Sequence, residues 1–249
     1  MKISVAGYWG AYPEKDGATS CFVLESEGEV MLLDCGSGAV SALPHITPLE
    51  DITDVVVSHR HHDHTADLGA LVYSRIVAME LENSDESLNF HVPKAEKDFF
   101  EVFNKEPFSK VETYEETDQL TCGSVTLSFM KTDHPVPCMA VRLQEEKRSI
   151  VYTADTVYSP ELAAFSEGAD LIIAECSFYK GQDAARYGHM SSTDAGRLAE
   201  EADAGELWLT HLPHFGNHND LIREAEGEYS GYVQLAFRGL SKEYEENTR

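Results

Sequence analysis

The sequence predicts an α/β (α+β) protein in which two mixed β-sheets pack together with helices on their outer sides. Three observations carry this expectation. Short apolar runs recur along nearly the whole chain, helical patterns are inserted between them, and strand-rich stretches open each half. The length of 249 residues suits one large core, and no linker, repeat or low-complexity segment divides it. One domain over residues 1–249 is therefore expected.

Period-2 or continuous apolar runs predict strands over 3–6, 21–25, 30–34 and 55–58, then over 89–92, 125–132, 139–143, 150–153, 171–175, 207–210 and 233–237. Leu68, Leu71, Val72 and Ile76 share one helical face and predict a helix over 66–79. Further helices are expected over 94–104, over 193–202 behind the cap-like Ser191, Ser192 and Thr193, and over 220–226. The polar run LENSDES (81–87) reads as a surface loop and the terminal KEYEENTR as a frayed end.

Composition excludes several function classes. With 44 acidic against 19 basic residues the net charge is −25, which repels phosphate backbones and argues against general DNA binding. No apolar run approaches the ~20 residues of a membrane span. The opening MKISVAGYWGAYP lacks the apolar core of a secretory signal, so the cytoplasm is the expected location. Cys21, Cys35, Cys122, Cys138 and Cys176 are scattered without a CxxC, and read as reduced packing residues.

The chemistry concentrates at His59-Arg60-His61-His62-Asp63-His64, directly after the apolar DVVVS. Burying so many polar rings unpaired is costly, and a loop leaving a strand end can aim closely spaced side chains at one point. Imidazole nitrogen and carboxylate oxygen are the donors that zinc takes, with catalytic sites keeping a position open. The motif reads as a metal site.

His59-x-His61-x-Asp63-His64 resembles the signature of the metallo-β-lactamase-fold hydrolases. Thr132-Asp133-His134, Tyr152-Thr153-Ala154-Asp155 and Leu209-Thr210-His211 are similar to that family's later motifs, so the resemblance spans the chain to about His211. It implies a four-layer αββα sandwich and two divalent ions per chain. Zinc is the expected metal, since imidazole suits it, with manganese or another divalent ion as the alternative. By position, His59, His61 and His134 would hold one ion, Asp63, His64 and His211 the other, and Asp155 would bridge. Antibiotic-hydrolysing members often carry cysteine where this chain has Asp155. Flavodiiron-type members carry glutamate where it has His61.

Glu175, ending ADLIIAE, and His189, in Gly188-His189-Met190-Ser191-Ser192-Thr193, look like a pair from the phosphodiesterase branch, which includes the tRNA 3′-end-processing endonucleases. There the histidine, oriented by its acidic partner, protonates the leaving oxygen, a task that needs a positioned acid. Asp63, Glu175 and His189 are thus the residues expected to take part in the reaction. The tRNA enzymes insert a basic arm between the third histidine and the bridging aspartate. Here His134 and Asp155 are 21 positions apart, room for a hairpin only. The expected substrate is a small phosphodiester or an RNA 3′ end. Thioester or lactone hydrolysis is the alternative chemistry, a metal-loaded anion-binding module the non-enzymatic one, and a homodimer is possible.

The remaining residues read as follows. Asp34, at a strand end, is expected to orient a ligand loop, and Asp67 to do the same from the helix face. His62 should point outward, His45, His91 and His218 should lie on the surface, and His214 is a candidate for lining the pocket. Arg60, Lys180 and Arg186 are the basic residues within reach of the site mouth.

Overall fold

Alternation along the strands decides how they pack. The computed structural model describes residues 1–244. In the first sheet, β1 (Lys2–Gly7), β2 (Cys21–Ser26) and β3 (Glu29–Leu33) form an antiparallel meander. β4 (Ile52–Val56), β5 (Leu88–Pro93) and β6 (Ser109–Tyr114) then extend it in parallel. The second sheet repeats the plan. β7 (Gln119–Cys122), β8 (Val125–Lys131), β9 (Met139–Glu145) and β10 (Arg148–Tyr152) run antiparallel. β11 (Leu171–Glu175), β12 (Glu206–Thr210) and β13 (Tyr232–Leu235) continue in parallel, and β14 (Ser241–Glu243) returns to the edge of the first sheet beside β1.

Both faces of each sheet are buried, which is why the strands read as near-continuous apolar runs. Ile3, Val5, Phe22 and Leu24 face Leu127, Val141, Ile150 and Ile173 across the inter-sheet core. Their strand neighbours Cys21 and Val23 turn to the other side, where Leu68, Leu71 and Val72 cover them. Val151, Ile172 and Leu207 meet Ala195, Leu198 and Leu221 on the outer face of the second sheet. Helix, sheet, sheet, helix is the resulting order, the αββα sandwich of the expectation.

The helices are α1 (Ala39–Ala42), α2 (His62–Thr65), α3 (Leu68–Glu80), α4 (Lys97–Phe100), α5 (Pro160–Phe165), α6 (Ser192–Glu201) and α7 (His218–Glu226). Ser191 opens α6 with a capping box, its side chain accepting from the Asp194 N–H while Asp194 accepts from the Ser191 N–H. Among the described residues no helix is long and apolar enough to cross a membrane.

Several expectations need correction. The helix expected over 94–104 is one α turn between two 3-10 turns, because buried Phe100 and the half-buried Phe103 pin it against Phe90 and α3 by contacts rather than by helix propensity. β6 and β7 were absent from the expected strands because edge strands carry few apolar residues. α1 and α5 are too short to leave a helical period. His91 is not on the surface: it lies buried on β5, its Nε2 2.7 Å from Asp54 Oδ1 on neighbouring β4. The expected frayed end starts instead with the paired strand β14, and its last five residues, 245–249, lie outside the described residues.

Candidate metal centre

Strand ends build the site. Asp34 follows β3 with φ 60°, Ala154 lies two residues past β10 with φ 49°, and His211 follows β12 with φ 53°. None is glycine, and each left-handed residue costs on the order of 1–3 kcal/mol, strain that concentrates at functional sites. These sharp turns stop the strands at one edge of the sandwich. His59–His64 supplies the same edge from the first sheet, through the loop after β4 and the single turn of α2.

There the predicted residues converge. His59, His61, His134 and Asp155 offer donor atoms within 4.8 Å of one another, as do Asp63, His64 and His211. His59 Nε2 is 3.0 Å from His61 Nδ1, which is 3.1 Å from His134 Nε2. His211 Nε2 is 3.0 Å from Asp63 Oδ2. Asp155 stands between the groups, Oδ2 3.6 Å from His59 and 3.4 Å from His211, Oδ1 3.3 Å from His64. The donor set suits a divalent cation. Buried His64 Nε2 and Asp155 Oδ1 make no hydrogen bond among the described residues, a costly arrangement that a cation between them resolves.

What lies behind the rings fixes which nitrogen points inward. His64 Nδ1 lies 2.7 Å from Asp34 Oδ2, and His134 Nδ1 2.9 Å from the Gly188 carbonyl. His59 Nδ1 meets Ser58 Oγ at 3.0 Å, and that hydroxyl donates to Asp34 at 2.8 Å. Asp34 also accepts from the Ser58 N–H and the Tyr152 hydroxyl, so one fully buried carboxylate orients two imidazoles and ties β3, β4 and β10 together. Gly188 has φ 78°, and a Cβ there would lie 2.4 Å from Pro135 Cδ, so glycine alone lets this carbonyl reach the His134 ring. Asp67, expected to orient a ligand, does not touch one. Its carboxylate accepts the Val40 N–H at 3.0 Å and holds the first turn of α1.

The two groups differ electrostatically. Burial, the main cause in each case, lowers the pKa of His59, His61 and His134 and favours the neutral form a metal takes. Burial acts the same way on His64 and His211, but Asp155 foremost, with Asp63, overrides it and raises both. A cation in the centre takes the place of those protons. Burial would raise Asp63 and Asp155, yet the surrounding imidazoles hold both below the usual carboxylate range.

Beside this cluster, His189 Nδ1 lies 2.8 Å from Glu175 Oε1. Glu175 is buried and held by the Thr156 N–H at 3.0 Å and the Ser177 hydroxyl at 2.8 Å. Among the described residues no hydrogen bond occupies His189 Nε2, and the ring lines an open cavity. Burial disfavours the imidazolium, but Glu175, with Asp155 and Asp63, pushes its pKa up to about 9. Ser177 also belongs to the site. Its Oγ lies 2.8 Å from His211 Nδ1 while donating to Glu175, which links the two halves of the site. A serine two residues after a strand-end glutamate leaves no pattern that would reveal this.

The cavity, about 350 Å³, is lined by Tyr12, Phe178, Tyr187, His211, His214 and Phe215 among others, so His214 does line the pocket. His62 is exposed, as is His45. His218 is half-buried rather than on the surface, its Nε2 on the Pro213 carbonyl and its ring against Trp9. Arg60 is engaged by Glu96 at 3.4 Å, while Lys180 and Arg186 are exposed. All five cysteines are buried and free. Only the β9–β10 hairpin separates His134 from the segment carrying Asp155.

The model of the Beta-lactamase superfamily domain matches residues 30–212. The chain is 41% identical over 240 residues to the probable metallo-hydrolase YhfI of Bacillus subtilis, covering 96% of this chain and 98% of that protein. The crystal structure of that metallo-beta-lactamase fold protein superposes with a TM-score of 0.94, over 97% of this chain and 98% of that one. A ribonuclease Z of Metallosphaera sedula is 24% identical over 275 residues, covering 90% and 93% of the two chains. The human tRNase Z short form shares the fold at 21% identity and a TM-score of 0.76, over 98% and 99%. With its motifs gathered at one sheet edge and these similarities along its length, the chain belongs to the beta-lactamase superfamily, as a metallo-hydrolase with that family's fold.

Proposed function

We propose that this protein is a dinuclear phosphodiesterase of the zinc class that acts on small phosphodiesters or RNA 3′ ends. His59, His61 and His134 hold one ion, Asp63, His64 and His211 the other, and Asp155 lies between them. Two divalent ions, when bound, supply an activated water and neutralise charge on the phosphoryl oxygens. The observation that carries the reading is the His189–Glu175 pair. Its free Nε2 faces the cavity beside the cluster, and its other nitrogen is fixed by a buried carboxylate. An alkoxide is a poor leaving group and needs a proton delivered as the bond breaks. His189 is placed to deliver it: Glu175 accepts the Nδ1–H and stabilises the imidazolium, whose second proton sits on Nε2. Relatives named ribonuclease Z or tRNase Z support the phosphodiester class.

Thioesters and lactones leave more easily and ask less of such a pair. The test is turnover of bis(p-nitrophenyl) phosphate, a dinucleotide and a thioester by the metal-loaded protein, with and without chelator. Chelator-sensitive cleavage of both phosphodiesters is expected. Turnover of the thioester alone would refute the reading.

A further inference from the structure

Two aromatic stacks contribute to the lining of the cavity beside the cluster. In the first, His214 is sandwiched between Trp9 and Tyr12, and His214 and Tyr12 line the cavity. Its ring lies 5.0 Å from Trp9 at an interplanar angle of 14°, and 3.7 Å from Tyr12 at 7°. His214 is locked in that plane by the Gly10 carbonyl at 2.9 Å and Glu14 at 3.2 Å. The layer ends in Tyr12, which is 57% exposed. Phe178 and Tyr187, which line the same cavity, stack at 5.6 Å and 11°, ending in Tyr187 at 53%. The first stack is tied to the cluster itself, since the Ala11 N–H, next to Tyr12, donates to Asp63 Oδ2 at 2.8 Å.

Such an arrangement has a use. Aromatic rings left half in water gain by stacking on another flat π-system, and stacking tolerates any base because every base has a π-face. Among the described residues no lysine or arginine lines this cavity, the Arg186 guanidinium lies 5.7 Å from the centre of the Tyr187 ring, and the chain carries a charge of −25. Phosphate contacts along a backbone are therefore a poor source of affinity here. Beyond what ions at the centre would supply to the phosphoryl group, binding energy for a small phosphodiester comes from the part that is not phosphate.

We propose that the Trp9–His214–Tyr12 stack and the Phe178–Tyr187 pair form a subsite for a planar aromatic ring, so that the preferred substrates are nucleobase-bearing or aryl phosphodiesters. This rests on the phosphodiesterase reading for the reaction, but not for the binding. Tyr12 and Tyr187 are the specificity-determining residues, and His214 is a positioning residue that holds Tyr12 flat.

The test pairs two measurements on the metal-loaded protein. The first is kcat/KM for a diadenosine dinucleotide against the same backbone without bases. The second is the binding of adenosine 5′-monophosphate against ribose 5-phosphate by calorimetry. The base is expected to improve both by about ten-fold or more, the size of one stacking contact. Tyr12→Ala and Tyr187→Ala should each bring the ratios toward one, while Tyr12→Phe keeps them. If Tyr12→Ala does not fold, Tyr187→Ala in the second stack carries the test. Equal turnover of the two dinucleotides together with equal binding overturns the subsite and leaves the phosphodiesterase reading standing. Base-dependent binding that follows Tyr12, with no turnover of either dinucleotide, supports the subsite and sinks the phosphodiesterase reading instead.

Discussion

Two of the molecule's histidine–carboxylate pairs have nearly equal length and lie one in each half of the sandwich. His91 and Asp54 meet at 2.7 Å between β5 and β4, and His189 and Glu175 at 2.8 Å past the end of β11. Distance does not separate them. The second ring nitrogen does. His91 Nδ1 faces another acid, Glu112, at 3.9 Å, whereas His189 Nε2 opens onto the cavity beside seven clustered histidine and aspartate side chains. Their carboxylates differ as well. Glu175 is 1% exposed and fixed by two donors, while the Asp54 side chain is 25% exposed. A pair in the middle of a sheet joins strands, and the same pair at the carboxyl end of a strand can present a proton to a ligand.

The largest effect should come from removing what only the second pair faces. Asp155→Ala takes away the carboxylate shared by both donor groups. Elemental analysis should fall from about two ions per chain to fewer than one, with loss of measurable turnover. Retention of two ions would break the assignment of Asp155. His189→Ala should come next, lowering kcat by about 10²–10⁴-fold on a dinucleotide. The loss should be much smaller on bis(p-nitrophenyl) phosphate, whose leaving group needs no proton. Equal losses on both substrates would make His189 a positioning or binding residue and erase its contrast with His91. His91→Ala should leave kcat within a few-fold. Asp34→Asn tests the support behind the rings: a 10–100-fold loss of metal affinity is expected, read by competition with a chelator.

The contrast between the pairs also shows what a sequence can carry. His59, His61, Asp63 and His64 are legible because one loop supplies them all. His134, Asp155 and His211 are legible through the resemblance of the short motifs around them to the family's later motifs. Two packed sheets with helices outside follow from the order of strand and helix patterns, and the four-layer sandwich from the resemblance. His91 was not legible, because a histidine and an aspartate 37 positions apart become neighbours only through the parallel register of β4 and β5. Ser177 escaped notice for the same reason, since its role depends on His211 from another strand end. Edge strands β6 and β7 were hidden by their polar composition. Long-range pairing, not local pattern, is what the sequence withholds.

The smallest effect expected is the one that defines the structural pair. Burial would raise the Asp54 pKa, but its hydrogen bonds, that from His91 first, lower it below the usual carboxylate value. A carboxylate whose pKa is depressed in the folded state contributes stability above its unfolded pKa of ~3.9, and that contribution fades as pH falls through the folded value. Because Asp54 is partly solvated, the contribution should be about 1 kcal/mol. Urea unfolding of the wild type and Asp54→Asn should therefore differ by about that amount at pH 7, and the gap should close below pH ~4. Turnover at pH 7 should be the same in both proteins. A stability gap unchanged by acid would mean that His91 and Asp54 interact through packing rather than charge. A loss of turnover with an intact fold would mean that this pair, too, reaches the site.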